Sequence, residues 1–419
     1  SCILSATGGG AGCWVGAALV VACGIFVKLF AFFSLRSKAG RALGLLLYLV
    51  PGMSLDRNDL RLLQGVVEGK LDAVTAAVEA GANVNGPPRE NIPPIARATV
   101  LDHVDIVDFL LEQGADPDNP SSASITARSP GGRTLHFAAS TGKAEIVRLL
   151  LKRSDVNATD NAGYTPLMAT CQSDHAHVEV VRLLLDAGAD PTLAGKDGRN
   201  PLHLAARSDH MDLVDMLHSK APATLNRCDA EDLTPLYMAC HRGHESMVSK
   251  LLSLGAMHRM SRDDSLACPL AIAVAKGFVG VVRALITERG MRAVGGEVAL
   301  VHALIMAVCF RQARLLPLLL TVGGEESRST WANAGSEDEV LLKFGASHCY
   351  PAAVSILLEA GADETERDSE GRTPLDVIGV DLRREGVQMD RGKEVAVRRM
   401  LQRGPAYRAR SWAWPSDDE

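Results

Sequence analysis

The feature that most limits what this chain can fold into is that it repeats itself. After an apolar run the same turn returns, as AVEAGANVN (77–85), LLEQGADPD (110–118), LLLDAGADPT (183–192) and LLEAGADET (357–365). A second box opens the units: GYTPL (163–167), GRNPL (198–202), DLTPL (232–236) and GRTPL (371–375). Gly81 and Gly114 lie 33 residues apart, and the first three opening boxes follow at steps of 35 and 34. A period of this size marks one short supersecondary unit copied in tandem. The three globular domains that 419 residues suggest by length alone give way to one array.

Each box has a local physical reason. In Thr234-Pro235-Leu236 the threonine oxygen can cap a helix whose first turn begins at proline, where the missing N–H costs nothing. Small residues follow, as in Ala205-Ala206 and Ala239-Cys240, and let neighbouring helices approach closely. Gly142 and Gly243 permit a chain reversal into a second helix, where Ile146, Val147, Leu149, Leu150 and Leu151 give a broad apolar face. Gly188 or Gly361 supplies the left-handed conformation that ends that helix, and Asp and Asn populate the turn beyond it. Neither helix can bury its apolar side alone, so each unit must stack on another.

These residues resemble the ankyrin repeat family. The match is closest in 132–255, where GRTLHFAASTGKAEIVRLLL, GYTPLMATCQSDHAHVEVVRLLLDAGAD, GRNPLHLAARSDHMDLVDML and DLTPLYMACHRGHESMVSKLLSLGA stand in succession. The resemblance implies an all-α ankyrin-repeat solenoid over 53–404: stacked helix-turn-helix pairs with β-turn or hairpin fingers, about ten units in all. Their beginnings fall near Asp59, Ile92, Gly132, Gly163, Gly198, Asp232, Ser265, Glu297, Asp338 and Gly371. Several depart from the pattern. The second opens NIPPIARA, and the third lacks the proline and follows a Ser/Pro/Gly-rich insert at 119–131. The fourth carries extra residues around Asp174–His177, and 259–336 is degenerate, with Gly323 to Trp331 reading as a loop. The last unit continues into a charged stretch and a helix over Val395–Leu401, which reads as a polar end cap; its basic excess leaves open a contact with an acidic partner or lipid headgroups.

Composition narrows the class further. Hydrophobic residues make up 47% and the formal net charge is −6, which excludes a disordered chain and gives no support for nucleic-acid binding by broad charge attraction. The nine cysteines are dispersed with no CxxC pair, against both a disulfide framework and a zinc module, so a reducing compartment is expected. Aromatics are only 4%, and six of the 18 lie in the first 52 residues, among them Phe26, Phe30, Phe32 and Phe33.

That N-terminal segment, 1–52, is expected to hold a hydrophobic helix. From Cys13 to Leu35 the one charge is Lys28, and such a length can span a bilayer; Arg36, Lys38 and Arg41 would then keep the following domain cytoplasmic. Residues 13–35 therefore read as a membrane anchor or signal, or as a buried helix or a mistranslated upstream stretch. Pattern alone leaves these open. The tail, 405–419, carries Trp412 and Trp414, which suit a short docking motif or a fold-back over the last repeat.

No catalytic, cofactor-binding or metal-binding residue is nominated. His136 and His203 occupy the structural position of the repeat box, and Cys240, His241 and His244 form the end of a repeat helix. His175 and His177 fall in a turn without the HExxH arrangement. Gly345 to Cys349 lacks the final glycine of a nucleophile elbow, and Gly65 to Lys70 lacks the spacing and the Ser/Thr of a phosphate loop. What the resemblance implies instead is protein–protein recognition by finger tips and the exposed side of the first helices. Its variable positions fall on Asn161, Tyr164 and Gln172; on Lys196, Asp197, Arg199 and Arg207; and on Glu231, Leu233, His241 and Arg242. Tyr164, Arg199, Arg207 and Arg242 are the types that most often dominate an interface. The expectation is a non-enzymatic scaffold or adaptor binding other proteins through its concave face, with no nucleic acid. The alternative is a regulatory piece of a larger membrane protein or enzyme.

Overall fold

Helix follows helix in pairs, with no strand among the described residues. The computed structural model describes residues 56–86, 92–118, 131–257, 268–322, 324, 327–333, 341–368, 370–380 and 390–403. The expected N-terminal helix, most of the 119–131 insert and the C-terminal tail lie outside them. No helix among the described residues is long and apolar enough to cross a membrane.

The chain divides into two units at Asn161/Ala162. In the first, α1 (Arg57–Glu68), α2 (Leu71–Glu79), α3 (Pro94–Leu101), α4 (Val104–Glu112), α5 (Thr134–Ser140) and α6 (Ala144–Leu150) form three pairs. The first helices pack in one row, α1 on α3 on α5, and the second helices in another, α2 on α4 on α6. Ile95, Ile106, Leu110, Leu135, Ile146 and Leu150 are essentially fully buried between the rows. Each such side chain is worth about 1.5–3 kcal/mol of burial.

The second unit holds the best-preserved boxes. Its pairs are α7 (Pro166–Cys171) with α8 (Val178–Asp186), α9 (Pro201–Arg207) with α10 (Met211–Lys220), α11 (Pro235–Arg242) with α12 (Glu245–Ser253), and α13 (Pro269–Ala275) with α14 (Val279–Leu285). The proline-led helices pack side by side in the order α7, α9, α11, α13. What lets them do so is size: Ala205, Ala206, Ala239, Cys240, Ala273 and Val274 are all fully buried at that seam. The expected caps are in place. Thr165 Oγ1 accepts from Met168 N and Thr234 Oγ1 from Tyr237 N, each at 3.4 Å. Beyond the second helices, Gly188 and Gly361 take φ of 90° and 98°.

Past α14 the pattern loosens. A helix that the period does not require, α15 (Glu288–Val294), precedes the long α16 (Gly296–Cys309), and α17 (Leu316–Leu320) is its short partner. The loop expected at Gly323 to Trp331 is corrected in part. Arg328–Ala332 is a helical turn, α18, held because Trp331 Nε1 donates to Val322 O at 2.7 Å while Ala332 is wholly buried. Two glycines and a Ser/Thr run gave the segment its loop-like composition, and the pinning contact lies nine residues away. Then come α19 (Leu341–Ser347), α20 (Pro351–Glu359) and α21 (Arg391–Gln402). In the last box, GRTPLDVI, only turns follow the proline.

Two kinds of bond recur at the repeat interval. In the turn after a second helix, an Asn or Asp of one repeat accepts the backbone N–H of the next. Asn85 takes Asp116 N (2.7 Å) and Asp118 takes Asp155 N (3.1 Å) in the first unit. Asn226 takes Met257 N and Asn333 takes Asp363 N in the second, both at 2.7 Å. Just before a second helix, His210 and His244 donate from Nε2 to the carbonyls of Ser173 (2.9 Å) and Arg207 (3.0 Å), one repeat back. These bonds fix the stacking register and consume side chains that composition alone marks as surface.

Candidate interaction surface

The fingers between repeats are tight turns that hydrogen-bond to one another in the second unit. Gly195 N donates to Arg199 O and Asp229 N to Leu233 O, closing two successive fingers at 2.9 Å. Lys196 N donates to Ala162 O and Ala230 N to Asp197 O, also at 2.9 Å, joining each finger to the one before. Side chains follow the same path. The Tyr164 hydroxyl donates to Asp197 Oδ2 at 2.6 Å, and Arg199 Nε donates to Asp229 Oδ2 at 3.1 Å. Asp229 is fully enclosed, and its other oxygen accepts from Glu231 N (2.9 Å) and Leu233 N (3.0 Å).

This network corrects the expectation for Tyr164. Its residue exposure is only 7%, so it is a finger-to-finger strut and not a projecting aromatic. Burial, then the bond to Asp197, raise its phenol pKa. Asp197 and Arg199 are half-buried and share the strut. For Arg199, burial opposes the charge, but the bond to Asp229 and the fields of Asp197 and Asp229 prevail and raise its pKa. Sequence spacing puts these three at variable surface positions; their partners in the neighbouring finger settle them into the fold.

The remaining nominated residues stand differently. Lys196, Glu231 and Arg242 are exposed; Gln172, Arg207, Leu233 and His241 are half-exposed. Arg207 ends α9, His241 and Arg242 end α11, and Gln172 caps α7. Equivalent helix ends therefore present side chains in a line across the packed row. Asn161, exposed, closes the first unit with its side chain against Gly131.

His203, by contrast, is wholly buried and structural. Its Nε2 donates to Leu233 O (3.0 Å), and its Nδ1 lies 2.8 Å from Asn200 Oδ1 and 3.3 Å from Asn200 N, which holds the ring between α9 and the next finger. Burial, against the bond to Leu233, lowers its pKa below the ordinary 6.5. The unfolded chain then binds more protons just below that value, so stability is full above about pH 6.5 and falls as acid approaches the folded pKa. Thermal unfolding followed by circular dichroism should show a lower melting temperature at about pH 5.5 than at about pH 7.5. His203→Gln should flatten part of that dependence; an unchanged slope would remove His203 from the acid response.

Among the described residues, no group of three His, Cys, Asp or Glu is placed to hold a metal ion. Ser347 donates to Phe344 O within its own helix (3.1 Å), and Cys171 and Cys240 are enclosed thiols whose pKa burial raises.

A family model described as ankyrin repeats (3 copies) matches residues 135–229 and 212–294, the span that holds these fingers. The matched residues, 135–294, are ankyrin repeats. It is 31% identical over 137 residues to an ANK repeat-containing protein of Caenorhabditis elegans, covering 30% of this chain and 22% of that one. It is 31% identical over 119 residues to an ankyrin repeat-containing protein of Schizosaccharomyces pombe, covering 28% of this chain and 49% of the relative. The ankyrin repeat protein YahD of Escherichia coli is 28% identical over 149 residues, 34% of this chain and 71% of YahD. The chain thus spans half or less of the worm and fission-yeast relatives. Ankyrin repeats are protein-interaction modules, and proteins of the family are typically non-enzymatic.

Proposed function

We propose that this protein is a non-enzymatic scaffold or adaptor that captures a partner protein on the ends of its first helices and its finger tips, from Gln172 to Arg242. One observation carries the reading. Within the same fingers, Tyr164, Asp197, Arg199 and Asp229 are committed to holding repeats together, whereas Arg207, His241 and Arg242 occupy equivalent helix ends and are half-exposed or exposed. Residues that extend a fold without bracing it are those a partner can use. Large interfaces draw most of their energy from a few such side chains, arginine prominent among them.

Full-length protein carrying Arg207→Ala, His241→Ala and Arg242→Ala should lose the partners that wild type retains from a lysate, compared by mass spectrometry. Helical circular dichroism should be unchanged. Undiminished capture of the same set overturns the placement. Tyr164→Ala is a contrasting control: it should lower the melting temperature first, because it removes a strut.

A further inference from the structure

Along the row of first helices, cations accumulate without anions to meet them. Arg207 ends α9, Arg242 ends α11, and Lys276 caps α13, each at the helix C-terminus of consecutive repeats. A positive side chain there gains modestly from the helix dipole, which explains one cation per helix. It does not explain their crowding. Among the described residues none of the three makes an ion pair; Lys276 Nζ instead sits 3.2 Å from His241 Nε2. The pKa of Arg207 is lowered by burial, then by Arg242 and Arg199. That of His241 is lowered by burial, then by Lys276, Arg242 and Arg207.

Three carboxylates nearby are already engaged. Asp197 serves Tyr164 and Arg199, Asp229 serves Arg199 and the finger amides, and Asp209 lies 3.8 Å from His244. The row is also bounded. At one end stands neutral Gln172. At the other, Arg314 donates to Gly277 O at 3.1 Å, and Arg311 is engaged by the Tyr350 ring at 5.3 Å and by His348 O at 3.4 Å. A short, discrete set of like charges is left, whose mutual repulsion an anionic ligand would relieve.

We propose that Arg207, Arg242 and Lys276 form a docking row for an acidic peptide segment in the polyproline II conformation, with carboxylates at every third position. This rests on the protein-binding reading above and names the chemistry of the partner. Spacing selects the conformation. Packed helices stand about 8–10 Å apart, so cations on successive first helices recur at that interval. A polyproline II chain has three residues per turn and rises about 3.1 Å per residue, which returns side chains to one face every ~9 Å. A β-strand would put positions three apart on opposite faces.

The test uses the full chain and fluorescein-labelled peptides followed by anisotropy. A peptide of three Glu-Pro-Pro units should bind, with affinity falling as salt is raised. Its isomer with the three glutamates contiguous should bind about tenfold more weakly, a difference of ~1.4 kcal/mol. The R207E/R242E/K276E variant should abolish binding while melting as wild type does; if it fails to fold, R242Q and K276Q singly should each weaken binding severalfold. Equal affinity for the two peptides overturns the spacing. Absence of binding to either overturns the acidic-peptide chemistry, and the lysate experiment then still decides protein capture by itself. Tighter binding of single-stranded oligonucleotide or of anionic vesicles than of the spaced peptide overturns it in favour of those ligands.

Discussion

Adding one methyl group at Gly198 should destabilise this protein far more than adding one at Gly188. Both glycines hold left-handed backbone, at φ of 77° and 90°, which costs an L-residue about 1–2 kcal/mol. Their surroundings differ. A Cβ on Gly188 meets nothing within 4 Å. One on Gly198 would lie 2.5 Å from Ala230 N and 2.9 Å from the carbonyl carbon of Asp229. Those atoms are backbone, so no rotamer change relieves the clash. The next finger has to retreat, and its bond from Ala230 N to Asp197 O breaks. Gly188→Ala should therefore cost the dihedral term alone, about 1–2 kcal/mol, and Gly198→Ala roughly 3–4 kcal/mol once crowding is added. Urea unfolding of the two variants reads the difference directly. Equal midpoints would mean that the fingers yield freely and contribute nothing to the stack.

That comparison shows what a repeat pattern makes legible. Gly188, Gly243 and Thr234 satisfy demands made by their own few residues: a left-handed turn, a chain reversal, a capped helix start. Such demands are written locally, so the boxes in 132–255 locate helices, reversals and caps without any knowledge of neighbours. The struts are not local. Tyr164 reaches Asp197 across 33 positions, Arg199 reaches Asp229 across 30, and Asn226 reaches Met257 across 31. A tyrosine at a variable position looks available until its partner in the next finger is known.

The same blindness hides Lys343 in the unit that begins near Asp338. On sequence it is one charge in an otherwise apolar helix. In the structure it is 6% exposed, with its ammonium 2.9 Å from Asp368 Oδ2. Burial pushes the Asp368 pKa up, but the Arg372 amide, Lys343 and the Arg372 guanidinium outweigh it and hold the carboxyl well below the ordinary range. A depressed carboxyl pKa adds stability above the unfolded value of about 3.9 and loses it as pH falls further. What the boxes do convey about function is where free positions lie. Among the described residues, Arg207 and Arg242 end their helices with no ion pair from the next repeat, whereas His241 meets Lys276 Nζ at 3.2 Å, a contact its own box does not show.

Asp229→Ala is expected to have the other large effect, and it tests whether finger and interaction row are one object or two. The Asp229 side chain has no exposure and satisfies Arg199 Nε and two backbone amides. Truncation leaves a guanidinium and two N–H groups without their acceptor. Each buried group so stranded costs about 1–3 kcal/mol, reduced here because exposed Glu231 and Asp232 let water reach the turn. A net loss of roughly 3 kcal/mol follows. Asp229→Asn should fall between, since it keeps an acceptor for the amides but can turn an NH2 toward Arg199. In a double-mutant cycle, Arg199→Ala should add little to Asp229→Ala, because the first change has already removed what the second would break. Full additivity would show the two side chains acting apart. Arg199 also contributes to the field that opposes charge on Arg207. Once Asp229 is gone, the Arg199 guanidinium keeps only Asp197, 3.5 Å away, and the docking row gains a less fully compensated cation. Affinity for an acidic peptide should then rise even as the melting temperature falls. Affinity that falls in step with stability would instead mean that the fingers must be braced for the row to bind at all.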